Sequence, residues 1–305
     1  MFRSVIVHAL KNVNNSHAGI CGCKCSIRHL SAGSKSNAEA RRKKNLLFSE
    51  EMKRQKENVG RIEKIEVLYK GVPEDMNLMM NKGISTPFNC AQHMSEMLMG
   101  RSVLALIDDT TLWDMHRPLK ANCQLQLLNF KIAEPHHVNK AFWRSCSILL
   151  GAMVENTFKD DVSVKLHSFP SPNVKTGSFV YDVEISLNNW QPSQDELRIM
   201  SSQMVSFCHK KHRFQRLEVS TDLALEIFED NKYKTEQIPF IASQISDGKS
   251  VVLYRVGDHI DISRGPMIGD TGMLGRCTVT AVHQIETDYG VLYRFQGVAL
   301  PKEIL

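Results

Sequence analysis

One short segment of the sequence has the residue types and part of the spacing of a metal site. Cys208 and His209 are followed by His212, and thiolate and imidazole are ligands that zinc prefers. A tetrahedral zinc site needs four ligands, and the neighbouring residues do not supply the fourth. They are basic instead: Lys210, Lys211, Arg213 and Arg216. We therefore favour a basic helix end, solvated or facing RNA, over a metal centre.

Two other groups of chemically active residues are weaker evidence for a functional site. His136 and His137 follow Pro135 in a segment that we predict to be a linker, where a loop is the default. The C-x-C-x-C run at residues 21–25 lies in a predicted leader that is removed after import. The five remaining cysteines are scattered, which argues against a disulfide framework. Nothing here has the Ser–His–acid or Cys–His arrangement of a nucleophilic enzyme.

Residues 1–30 have the composition of a mitochondrial import leader. Residues 1–38 contain five cations and no carboxylate, because Glu39 is the first acidic residue. The apolar patch at residues 5–10 is too short for a secretory signal. The sequence R-H-L-S at residues 28–31 resembles a cleavage site of matrix processing peptidases. We expect cleavage after Leu30, or a second trimming as far as Asn37, and residence in the mitochondrial matrix.

The leader carries most of the net charge. Removing residues 1–30 removes four cations and no anion, so the net charge falls from +5 to +1. Contacts with nucleic acid must then come from local basic patches. No run of about 18 uncharged apolar residues occurs, which predicts no membrane span.

The first basic patch is a predicted helical arm at residues 31–61. It can be read as a solvated helix with paired charges, or as an extended arm that lies along RNA phosphates. Its candidate phosphate contacts are Arg41, Arg42, Lys43, Lys44, Lys53 and Arg54. The second candidate patch is the basic segment after Cys208.

Two mixed regions follow the arm, so we predict an α+β fold. In residues 62–131, short strands flank one helix that begins near Thr86, which suggests a small β-grasp domain. A linker at residues 132–138 leads into a larger mixed α/β domain at residues 139–305. There we predict a first helix over 139–158, a second helix that begins at the capping box of Ser193 and Glu196, and a third over 220–230. The predicted strands of this domain include residues 177–183, 251–255, 259–263, 277–285 and 290–296.

The order of these regions resembles the N-terminal half of threonyl-tRNA synthetases. Residues 85–130, with D-D-T at 108–110, L-W-D at 112–114 and R-P-L at 117–119, look like the TGS module of that family. The later region, with D-I-S-R-G-P-M at residues 261–267, resembles the editing domain that hydrolyses mischarged tRNA. That domain holds a metal ion with H-x-x-x-H on its first helix and C-x-x-x-H near a late strand.

The resemblance also implies that the editing chemistry is lost. Alignment through L-L-G at residues 149–151 places Arg144 and Ile148 at the two helix histidines. Alignment through R-G-P at residues 264–266 places Ser263 and Met267 at the cysteine and the last histidine. None of the four is a good ligand for a zinc-type ion, and Asp261 alone makes no hydrolase. We expect no metal, no cofactor and no catalytic residue. Aminoacylation needs further domains for which 305 residues leave no room.

Three further segments are similar to one family of mitochondrial large-ribosomal-subunit proteins, the one numbered thirty-nine. They are W-D-M-H-R-P-L at residues 113–119, F-W-R-S-C at 142–146 and R-F-Q-G-V-A-L-P at 294–301. The resemblance implies a scaffold that binds large-subunit rRNA and neighbouring ribosomal proteins. Two alternatives remain: a tRNA- or mRNA-binding translation factor, and a mitochondrial aminoacyl-tRNA deacylase with a rearranged site.

Overall fold

A computed structural model describes residues 37–245 and 248–304. The predicted leader and its C-x-C-x-C run lie outside these described residues. The first described element is α1 (Asn37–Glu57), which confirms a helix in the predicted arm. It does not extend away from the molecule, because the side chain of Phe48 is fully buried in a core formed with residues from much later in the chain.

Five strands form the first sheet, and two short helices pack on it. The elements are β1 (Lys64–Tyr69), β2 (Met76–Asn81), α2 (Pro87–Met94), α3 (Glu96–Arg101), β3 (Leu104–Ile107), β4 (Thr111–Asp114) and β5 (Cys123–Leu128). The strand order is β2-β1-β5-β3-β4, with β1 parallel to β5 and the other neighbours antiparallel. Alternate residues of β1 are buried, as a strand with one covered face requires.

The sequence predicts one helix where the structure has α2 and α3. The break falls at Ser95, whose hydroxyl accepts a hydrogen bond from the backbone N–H of Leu98 and so caps α3. Thr86 caps α2 in the same way, with Asn89 completing a capping box. A serine that can satisfy free N–H groups at a helix start competes with helix continuation, so two short helices form.

The rest of the chain builds two more sheets. Its elements are α4 (His136–Thr157), β6 (Val164–Ser168), β7 (Phe179–Ile185), α5 (Gln194–His209), β8 (Gln215–Ser220), α6 (Thr221–Ile227), α7 (Lys232–Ser243), β9 (Ser250–Val256), β10 (His259–Ile262), β11 (Leu274–Thr287) and β12 (Gly290–Pro301). The central sheet has the antiparallel order β11-β12-β7-β6, and α4 and α5 pack against it. Gly151 lets α4 approach this sheet, because a Cβ there would stand 2.9 Å from the ring of Tyr181.

The small sheet has the order β10-β9-β8, and α1 packs against it together with α6 and α7. Phe48 of α1 lies in the same core as Leu217 and Leu253 of this sheet. The guanidinium of Arg255 stacks over the ring of Phe48, 4.5 Å from its centroid. The predicted arm is therefore an integral layer of the fold.

Several boundaries differ from the predictions. His136 and His137 form the first turn of α4 rather than a linker, because Pro135 can precede a helix without losing a needed N–H. The basic segment after Cys208 is not one helix end, since α5 stops at His209 and Arg216 lies on β8. No helix of the described residues is long and apolar enough to cross a membrane.

Candidate functional site

The four positions where the resembled editing domain has its metal ligands lie on α4 and on the loop after β10. The structure brings these two segments together. Nη1 of Arg144 on α4 donates a hydrogen bond to the carbonyl of Pro266 in the loop, at 2.9 Å. Burial lowers the pKa of the Arg144 guanidinium, although an arginine keeps its charge at neutral pH. In this chain a fixed positive charge therefore lies at a position where the resembled editing domain has a ligand for its metal cation.

The remaining positions carry no metal-binding group either. The side chains of Ile148 and Met267 are both fully buried in the core around α4. The Ser263 hydroxyl accepts a hydrogen bond from the backbone N–H of Gly265 at 3.3 Å. Among the described residues, no group of three or more His, Cys, Asp or Glu could hold a metal ion. The residues present do not fit the editing metal.

Ser145 on α4 hydrogen-bonds to the loop after β10. Its hydroxyl donates to the carbonyl of Ala141 at 2.8 Å and accepts from the backbone N–H of Ile268 at 3.1 Å. It also lies 3.5 Å from the sulfur of Met267. These hydrogen bonds fix the loop after β10 directly on α4.

Asp261, the one acidic position that matches the editing pattern, is neutralised inside the protein. Its side chain is fully buried, and its two oxygens meet Nζ of Lys234 at 2.5 Å and the hydroxyl of Tyr181 at 2.5 Å. The ammonium also donates to the Tyr181 hydroxyl at 3.0 Å. A fully buried carboxylate held by an ion pair, a phenol and the backbone N–H of Ile262 is a structural group.

Asp114 joins the first sheet to the loop after β10. It ends β4 and accepts hydrogen bonds from the backbone N–H of Met267 at 2.8 Å and from the hydroxyl of Tyr254 at 2.9 Å. Burial raises the pKa of the Asp114 carboxyl, and these hydrogen bonds and the charges of Arg216 and Arg117 oppose that shift. The junction between the two halves of the chain is thus built from a buried polar contact.

The basic residues of α1 are largely paired within the protein. Lys44 is buried 3.6 Å from the carboxylate of Glu155, and Arg41 donates to the backbone carbonyl of the same residue. The other paired cations and their partners are Lys43 with Glu229, Lys53 with Glu57, and Arg54 with Glu51. Arg42, Lys53 and Arg54 are exposed, whereas Lys44 is turned away from solvent.

The segment after α5 separates its residues in a way that the sequence pattern does not predict. Cys208 is buried, and its thiol hydrogen-bonds with Cys277, which together with burial raises its pKa. His209 is exposed, and His212 packs on the ring of Phe207. The three side chains do not converge, so they form no metal site. The exposed cations here are Lys210, Lys211 and Arg213.

A cleft lies between the C-terminal end of α1, the loop after β4 and the strand β8. Its cavity has a volume of about 410 Å³. We call its five cationic lining residues the basic cleft: Lys56, Arg117, Lys120, Arg213 and Arg216. Only the last two are candidates from the sequence alone, because the other members lie in distant segments and nothing in the R-P-L sequence marks its arginine as a contact for RNA.

Comparison with known proteins places these features in one family. The chain is 52% identical over 284 residues to the large ribosomal subunit protein mL39 of Drosophila melanogaster, covering 91% of the chain and 85% of that protein. It is 30% identical over 224 residues to a probable cytoplasmic threonine–tRNA ligase 1 of Dictyostelium discoideum, covering 72% of the chain but 29% of the ligase. It is 29% identical over 221 residues to a cytoplasmic threonine–tRNA ligase 2 of Xenopus tropicalis, covering 71% of the chain and 25% of that ligase. No family model matches the chain.

The two kinds of relative carry different weight. The ligases match only part of the chain and a quarter to a third of their own length, which shows a shared mixed α/β region. The ribosomal relative matches nearly the whole chain at much higher identity, and it is a ribosomal protein and not a tRNA ligase. The resemblance found in three short segments is thereby confirmed, and the chain belongs to the family of the mitochondrial large ribosomal subunit protein mL39.

Proposed function

We propose that this protein is a structural constituent of the mitochondrial large ribosomal subunit, where it holds rRNA and neighbouring ribosomal proteins together. The observation that carries the proposal is the 52% identity to a ribosomal protein along 91% of the chain. On α4 and the loop after β10, residues that do not bind metal stand at the positions aligned with metal ligands. This supports the proposal, because a structural protein has no need of a catalytic ion.

We further infer that residues 62–131 form a TGS-like β-grasp domain, and that residues 139–305 form an editing-like domain without activity. The strand order β2-β1-β5-β3-β4 with its parallel β1–β5 pair supports the first assignment. The ligase identity over 71–72% of the chain supports the second. In this proposal the Asp114 contact holds an inherited pair of domains in one fixed arrangement.

The proposed rRNA contacts are the candidate cations that solvent can reach. They are Arg42, Lys53, Arg54, Lys210, Lys211 and Arg213, whereas the side chain of Arg216 is only 15% exposed and pairs with Glu218. Lys44 is not proposed as a contact, because it is buried against Glu155 and a phosphate could not reach it. Arg41 and Lys43 are not proposed either, because they bind the Glu155 carbonyl and the Glu229 carboxylate. No base-specific contact is proposed, since exposed Lys and Arg side chains contact mainly the phosphates of the RNA backbone.

Depletion of the protein from mitochondria tests this function against its enzymatic alternative. We expect less assembled large subunit and less mitochondrial protein synthesis, with the charging of threonine tRNA unchanged. We expect a chain carrying Arg144→Ala to restore assembly, since Arg144 hydrogen-bonds the loop after β10 and takes part in no reaction. Normal subunit levels together with accumulation of serine on threonine tRNA would favour a deacylase instead.

A further inference from the structure

The basic cleft holds more positive charge than its own surroundings balance. Five cationic side chains line it, and only two carboxylates, Asp114 and Glu218, line it with them. Asp114 is buried and already accepts hydrogen bonds from Tyr254 and Met267. Glu218 pairs with Arg216 at 3.3 Å. Both carboxylates also act on Arg117, where their charges partly offset the effect of burial on its pKa. The cleft cations without a carboxylate of the cleft beside them are therefore Lys56, Lys120 and Arg213.

Lys56, Lys120 and Arg213 are exposed, and none of them forms an ion pair within 4 Å with a described residue, although the charge of Arg213 helps to lower the pKa of Asp270. They come from the end of α1, the loop after β4 and the segment before β8, so the fold itself collects them at one cleft. Solvated surface lysines separate when they are free to do so, because like charges repel. Cations held together by three different elements indicate a place for an anion.

Arg117 is the most constrained member of the cleft. Its guanidinium lies flat on the ring of Trp113, 3.5 Å from the centroid, and the Trp113 indole N–H donates to the Arg117 carbonyl at 3.0 Å. Nε of Arg117 is buried and has no hydrogen-bond partner among the described residues. Because this Nε is closed to solvent, an acceptor in the cavity would meet the other two nitrogens of the guanidinium, which form no hydrogen bond with a described residue. Stacking on an aromatic ring preorganises the guanidinium for such an acceptor.

We propose that the basic cleft binds the phosphodiester backbone of RNA, with Arg117 as its fixed anchor and Lys56, Lys120, Arg213 and Arg216 around it. The proposal rests on the ribosomal function proposed above and names the site of one rRNA contact. A planar guanidinium fork matches the oxygens of a phosphate, and its bonds to that charged group are stronger than bonds between neutral groups. The cavity of about 410 Å³ is within the size range of ordinary ligand sites, about 300–1,000 Å³.

His116 adds a neutral group to the same cavity. Burial and the neighbouring charge of Arg213 lower its pKa to about 4, so the imidazole is uncharged near neutral pH. A neutral imidazole can donate or accept a hydrogen bond, and the ribose 2′-hydroxyl can do both as well. The cleft thus offers both charge for a phosphate and a polar partner for a sugar.

The test is the salt dependence of RNA binding by the purified full chain, measured by fluorescence anisotropy with a short labelled oligouridylate. For a single strand, removing one cation that binds a phosphate lowers the slope of log K against log salt by about 0.7. The double variant Lys120→Gln/Arg213→Gln removes two exposed cations and should lower the slope by about 1.4. The control Lys175→Gln/Arg276→Gln makes the same charge change at two exposed residues outside the cleft and should keep the wild-type slope.

Three outcomes would overturn the proposal: a wild-type slope in the cleft variant, an equal decrease in the control variant, or no RNA binding by the unaltered chain. Inorganic phosphate and oligoglutamate serve as competitors. Displacement of the RNA by equal charge concentrations of oligoglutamate would assign the cleft to an acidic protein instead. Co-sedimentation of the cleft variant with the large subunit separates the two hypotheses. A variant with an unchanged slope that still co-sediments refutes the cleft and leaves the ribosomal function intact.

Discussion

The backbone N–H of Met267 donates a 2.8 Å hydrogen bond to the carboxylate of Asp114, which ties the loop after β10 to the last residue of β4. The position where the resembled editing domain has a metal-binding histidine is therefore used here to fasten the first sheet to the rest of the chain. The side chain of Met267 is buried, and its backbone carries the contact. Met267 is therefore part of an internal joint between the first sheet and the loop after β10.

The Asp114 joint predicts a loss of stability on substitution. Asp114→Ala leaves the Tyr254 hydroxyl and the Met267 N–H buried without an acceptor, and each such group costs about 1–3 kcal/mol. We expect the free energy of unfolding, measured by urea denaturation, to fall by roughly 3 kcal/mol. Asp114→Asn keeps one acceptor oxygen and should lose less than half as much. Equal losses in the two variants would show that the hydrogen bonds do not hold the joint.

The substituted ligand positions predict that the stability of the protein does not depend on a bound metal ion. Arg144, Ile148, Ser263 and Met267 offer no ligand set, so we expect metal analysis of the purified chain to find no stoichiometric divalent ion. Excess EDTA should leave the Tm unchanged, whereas a protein with a structural zinc unfolds on chelation. A stoichiometric ion that EDTA removes together with a drop in Tm would contradict the account of this site.

The burial of α1 predicts that the arm is needed for folding. Phe48→Ala removes a fully buried ring from the core shared with the small sheet, and such changes cost about 3–5 kcal/mol. Leu46→Ala on the same helix serves as the control, since its side chain is 59% exposed and should change stability by less than about 0.5 kcal/mol. Similar stabilities for the two variants would mean that α1 is a separate arm after all.

Glu155 predicts how stability depends on pH. Burial alone would raise the pKa of its carboxyl, but the charges of Lys44, His259 and Arg41 outweigh it and lower the pKa from 4.5 to about 2. A lowered folded-state pKa stabilises the protein above the unfolded value, and that stability is lost as pH falls toward the folded value. The free energy of unfolding should therefore decline between pH 4.5 and about 2 through this group.

Glu155→Gln should remove roughly 2–3 kcal/mol of that decline. Glu50→Gln, at an exposed position of α1, is the matched control and should keep the wild-type pH profile. The comparison requires unfolding curves at several pH values for the three proteins. A variant Glu155→Gln with an unaltered pH profile would show that the buried cluster of Glu155, Lys44 and His259 does not depend on its charge.

Local signals in the sequence predicted much of the fold. The capping box of Ser193 and Glu196 marks the start of α5, and Leu197, Met200, Met204 and Cys208 on its apolar face are all buried. These features depend on neighbours in the chain, so a single sequence contains them. The break at Ser95 was not predicted because serine also occurs inside helices, and the sequence alone does not show that this hydroxyl caps a new helix through the N–H of Leu98.

Features that depend on distant contacts were not predictable in this way. Nothing near Lys44 in the sequence distinguishes it from Lys43, yet Glu155 and the core around Phe48 turn it inward. The basic cleft is the opposite case, since Arg117 lies in the mixed sequence D-M-H-R-P-L-K, and only the fold brings it close to β8 and α1. The strand β8 itself was missed because its sequence, Q-R-L-E-V-S, reads as an extension of the basic segment.

Gradient sedimentation of mitochondrial ribosomes tests the central claim most directly, because it measures whether the protein is a stable part of the large subunit. Ribosomes washed at increasing salt are separated, and the protein is followed by immunodetection across the gradient. A structural constituent remains with the large subunit after a moderate-salt wash, along with known core proteins. A protein that moves to the top of the gradient at moderate salt, while the subunit stays intact, would be a dissociable factor and would contradict the account.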